Sequence, residues 1–106
     1  MLELFFTEKS QQLVFYVSRY LRGQLAHAEI HLFIWDTLEE WSQFEIKNHT
    51  PANLHEQVFW HLLHQLECWS EAELRQNKML RKRLQYCVGF LQGKADIPFE
   101  CIGIRP

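Results

Sequence analysis

Between positions 26 and 44 the residues Ala26, Ile30, Phe33, Ile34, Thr37, Trp41 and Phe44 recur at steps of three and four. That is the interval at which an α-helix returns to the same side, so the segment reads as a helix over about 25–45 with one face buried. A second apolar stripe, Leu25, Ala28, Leu32 and Trp35, runs along the opposite side of its first half. A helix that is apolar on two sides is either central in its domain or half of a contact with another chain. The competing reading is a strand over 30–35 followed by a helix capped at Asp36 or Thr37, because the residues there are β-prone.

The remaining chain favours helices for a different reason. With four Gly and three Pro in 106 residues, there are few places to turn, so the elements must be few and long. Thr7 offers an N-cap to a helix over about 8–22 that buries Leu13, Val17, Tyr20 and Leu21, turns Phe15 and Arg19 outward and stops at Gly23. Thr50-Pro51 starts a third helix, since proline at the first helical position lacks only an amide hydrogen that would have had no partner. That helix should run over about 51–69, and Ser70 with Glu73 forms a capping box that begins a fourth over about 71–92. The fourth buries Leu80, Leu84, Cys87, Val88 and Leu91 and ends at Gly93. Residues 2–6 are short enough to be a strand or a first helical turn, and Pro98 and Gly103 make 94–106 an extended tail that packs down on the bundle. The fold class is therefore all-α or nearly so: a single-domain bundle of about four helices with short extended N- and C-terminal segments.

The densest chemistry lies in the stretch VFWHLLHQLECWS, residues 58–70. At about 100° per residue, Phe59, Leu62, Leu63, Leu66 and Trp69 share one side of the third helix, the core face. Trp60, His61, His64 and Cys68 fall on the other. His61, His64 and Cys68 stand at i, i+3 and i+7, while His27 and His31 stand at i and i+4 on the second helix. Imidazole and thiolate suit zinc, and two helices that each offer a pair can complete a four-ligand site in a bundle, so metal binding or sensing is an alternative function. A Cys68 nucleophile activated by a neighbouring histidine would sit in the middle of a helix, where no backbone amide is free to stabilise an oxyanion. No phosphate loop, carboxylate pair or Ser/His/Asp order stands out, so the chain reads as a binding protein rather than an enzyme, and no cofactor is expected.

Charge is uneven along the chain. Residues 1–70 hold nine acidic and four basic residues, net −5, and residues 71–106 hold four acidic and seven basic, net +3, around an overall −2. On the fourth helix Lys78, Arg81, Lys82 and Arg83 make a basic surface suited to an acidic partner. The overall acidity disfavours nucleic acid, and a nucleic-acid-associated regulator or a small enzyme ranks third. No apolar run approaches the ~20 residues that span a bilayer. Cys68, Cys87 and Cys101 form no CxxC pair, and the N-terminal residues lack the pattern of a signal peptide, so a reducing cytoplasm without disulfides or membrane attachment is expected. The leading expectation is a small regulatory or protein-interaction module, a homodimer that meets its partner through Leu25, Ala28, Leu32 and Trp35, through Trp60, or through the basic residues of the fourth helix.

Overall fold

In a computed structural model that describes residues 2–44, 51–96 and 102–106, the chain forms five helices and, among the described residues, no strand. They are α1 (Leu2–Leu21), α2 (His27–Ser42), α3 (Leu54–Cys68), α4 (Glu71–Gln76) and α5 (Lys78–Leu91). The protein is all-α. The segment 30–35 is helical throughout, and residues 2–6 belong to α1, so neither strand reading holds. α1 thus begins well before Thr7, because Phe5 and Phe6 continue the stripe of Leu13, Val17 and Tyr20 into the core.

Two of the expected boundaries shift for local reasons. α3 is capped by Asn53 rather than Thr50, with the Asn53 side-chain oxygen accepting from the Glu56 amide at 2.8 Å. The expected last helix is two, because Asn77 adopts an extended conformation and its side chain accepts from the Leu80 amide at 3.0 Å, starting a new helix. Ser70 caps α4 as expected, accepting from the Glu73 amide, while the Glu73 carboxylate accepts instead from the Asn77 side-chain amide at 2.9 Å. Gly23 and Gly93 close α1 and α5 at φ of 75° and 76°, where a β-carbon would be strained. Each carries the paired bonds of a Schellman turn: Gly23 to Tyr20 and Gln24 to Arg19, Gly93 to Phe90 and Lys94 to Gly89.

α1 and α3 form the middle of the bundle. α2 packs on both from one side and α5 on both from the other, with α4 resting against α5. The core follows from this arrangement: Leu13, Val17 and Tyr20 of α1, Ile30, Ile34 and Trp41 of α2, Val58, Phe59, Trp60, Leu62, Leu63 and Leu66 of α3, and Leu80, Leu84 and Cys87 of α5. Being central, α3 buries a wide arc instead of a stripe. Trp60, expected to face outward, is fully buried against Phe6, Trp41 and Phe59. Trp69, expected in the core, is instead the residue that ends α3 and is 40% exposed. No helix among the described residues is long and apolar enough to cross a membrane.

Candidate interaction surface

Residues 102–106 lie across α3 and explain what covers Trp60. The Gly103 amide donates to the Gln57 carbonyl at 2.9 Å. The Arg105 guanidinium makes a two-pronged pair with the Glu56 carboxylate, Nη2 to Oε1 at 2.8 Å, and lies 5.6 Å from the centre of the Trp41 ring. The same carboxylate accepts from the Trp60 indole N–H at 3.0 Å, so one buried acid anchors both a core tryptophan and the tail. That hydrogen-bonded pairing holds the Arg105 pKa above its ordinary value. Neither Glu56 nor Arg105 stands out in the sequence; the available signal was an acid four residues before a tryptophan on a helix, the spacing at which the two side chains meet. The tail segment 97–101, with Cys101, lies outside the described residues.

The histidines and Cys68 do not converge. His27 and His31 lie side by side, with ring centres 4.4 Å apart, and the Tyr20 hydroxyl is 3.0 Å from His27 Nδ1. On α3, His64 and Cys68 are exposed, and His61 is half-buried where the tail crosses the helix. Among the described residues no three His, Cys, Asp or Glu side chains come together around a point that a metal ion could occupy. The four-ligand site on α2 and α3 is therefore not formed, because α2 turns its buried stripe, not its histidine pair, towards the centre of the bundle. Burial and then the neighbouring His31 push the His27 pKa below its ordinary value, and burial followed by His64 does the same to His61.

The basic residues divide. Arg81 serves the fold: its guanidinium donates to the Leu21 carbonyl at the end of α1 and to the Leu74 carbonyl of α4 at 3.1 Å, satisfying carbonyls that the helix ends leave over. Arg75 pairs with Glu71 at 3.1 Å and lies over the Tyr20 ring. Lys78, Lys82 and Arg83 are exposed. The groove between α1 and α2, about 500 Å³, is lined by Lys9, Gln12, Tyr16, Asp36 and Glu40, and Lys9 already pairs with Glu40 at 2.9 Å.

The second stripe of α2 fares differently along its length. Leu25 is partly covered by the core and Ala28 is exposed. Leu32 and Trp35 stand out at 58% and 67% exposed, one helical turn apart, with Glu29, Asp36 and Glu39 exposed around them. Phe15 is also exposed but lies under the Arg19 guanidinium, 4.4 Å from its ring centre. A second outward strip, not anticipated from the sequence, lies on α5: Met79 and Tyr86 are 70% and 53% exposed, two turns apart, with Lys82 and Arg83 between them. The signal was present as a seven-residue spacing on the helix's polar side. No family model, curated protein or solved structure matches the chain, so its function is read from these residues alone.

Proposed function

We propose that this chain is a protein-interaction module whose contact is the outward face of α2, centred on Leu32 and Trp35 and rimmed by Glu29, Asp36 and Glu39. The observation that carries this reading is the exposure of a leucine and a tryptophan, one turn apart, on a helix whose opposite face already fills the core. The fold has no use for them there. A tryptophan in water is unfavourable, and large aromatics inside a charged rim are the residues around which protein contacts are built. The acidic rim suits a partner whose own apolar strip is bordered by basic residues.

A photoreactive phenylalanine analogue in place of Trp35, activated in the native cell, tests this reading. A discrete covalent adduct is expected at position 35 and none when the probe replaces Glu67, an exposed residue on α3. Equal yields at both positions, or no adduct at either, would leave the α2 face without a role.

A further inference from the structure

The two outward strips complement each other, and from them we infer that the partner of the α2 face is the α5 face of a second copy of this chain, giving head-to-tail association. This rests on the reading of α2 as a contact and adds its occupant.

Charge complementarity supports that occupant. The α2 strip is Leu32 and Trp35 among Glu29, Asp36 and Glu39; the α5 strip is Met79 and Tyr86 among Lys78, Lys82 and Arg83. Among the described residues no ion pair engages any of these six charges, so they are available to a neighbour. Leu32 and Trp35 are three residue steps apart, about 5 Å of helix, and fit within the about 10 Å that separates Met79 from Tyr86. Laid together, Leu32 and Trp35 lie against the line of Met79 and Tyr86, and Lys82 and Arg83, which stand to either side of that line, face the acids around α2.

The alternative, a two-fold homodimer joining α2 to α2, would bring Glu29, Asp36 and Glu39 against the same acids of the other copy. Like charges at a contact are unfavourable. The bundle also sets the geometry. α2 and α5 each pack on both α1 and α3, and the two strips are on the sides of α2 and α5 that these contacts leave exposed. Each α2-to-α5 contact leaves a free α2 strip at one end and a free α5 strip at the other. The association grows with concentration instead of stopping at two.

Sedimentation of the full chain and of two variants tests this. Leu32→Gln/Trp35→Gln removes the α2 strip and Met79→Gln/Tyr86→Gln the α5 strip, all at exposed positions where glutamine keeps the helix. The unaltered chain should show an average mass that rises with concentration and falls with added salt. Each variant alone should associate roughly tenfold or more weakly. Mixed together, they should form a one-to-one pair, because each supplies the face the other lacks. An α5 variant that still dimerises, or a mixture that stays monomeric while the unaltered chain associates, overturns the head-to-tail pairing but leaves the α2 contact standing. An unaltered chain that is monomeric at high micromolar concentration overturns self-association, and the photoreactive probe at position 35 then decides separately whether α2 meets another protein.

Discussion

Glu56 is nearly inaccessible, and its carboxylate holds both the Arg105 guanidinium and the Trp60 indole. Removing Arg105 leaves that charge buried with half its partners, whereas removing both charges does not. Arg105→Met should therefore lower unfolding stability by about 3 kcal/mol, and Glu56→Gln/Arg105→Met by less than the two single changes combined. Urea denaturation of the four proteins reads the difference, and strictly additive losses would mean that the pair is not coupled. Gly103 is constrained on steric grounds: a β-carbon there would come within 2.5 Å of the His61 backbone nitrogen and 2.9 Å of its Cα, and that backbone cannot give way. Gly103→Ala should lift the tail from α3, at a cost of about 1–3 kcal/mol. Increased quenching of Trp41 and Trp60 by acrylamide would report it; unchanged quenching would show that the tail stays seated. The sequence marked Gly103 only as part of an extended tail and did not single out Glu56 or Arg105, because their importance lies in contacts between segments far apart in the chain, which no local period encodes.

His27 and His61 set a pH dependence at the same scale. Both pKa values are lowered from the ordinary 6.5, so as the pH drops through 6.5 the unfolded chain takes up protons before the fold does. Stability is greatest above that value and is lost as the pH falls towards the folded pKa values, below which both states are protonated and the loss saturates. The urea midpoint should fall between about pH 7.5 and 5.5, and His27→Gln/His61→Gln should flatten that fall. An identical fall in the double variant would place the effect elsewhere.

Among the elements, α2 was the most legible. Its two stripes were visible as periods of three and four, and Ile30, Phe33, Ile34, Thr37 and Trp41 are buried as that pattern requires. α3 was legible as a helix but not in its orientation. A helical wheel divides residues into inside and outside, and α3 is enclosed by α1, α2, α5 and the tail, so Trp60 was assigned to a surface that the bundle does not leave open. The break between α4 and α5 was missed because the charged residues on either side of Asn77 fit one continuous helix, while the decisive feature was its side chain's preference for capping. That same cap gives a prediction. Asn77→Ala should cost about 1 kcal/mol by freeing the Leu80 amide, and it should extend helix across the junction. A gain in helical circular dichroism with a lower urea midpoint would match; an unchanged midpoint would mean that the cap contributes nothing.

Across the whole molecule, the uneven charge noted along the sequence becomes a division between two faces of the bundle: acids around the outward face of α2, bases around that of α5. Of the second stripe read from the sequence, Leu32 and Trp35 are strongly exposed, as follows on a helix whose first stripe fills the core. Sequence reasoning could not find the α5 face, because Met79 and Tyr86 stand out only once the rest of α5 is known to be buried or charged. The proposed contact turns on Trp35, and the chain supplies its own controls: Trp41 and Trp60 are buried and Trp69 is exposed at the C-terminal cap of α3. With fluorotryptophan at all four positions, fluorine NMR across a dilution series resolves each indole. Movement or broadening of the Trp35 resonance with rising concentration, while the other three hold still, is the predicted result. A Trp35 resonance that keeps its solvent-exposed position from low to high micromolar concentration, or a Trp69 resonance that moves in its place, would contradict it.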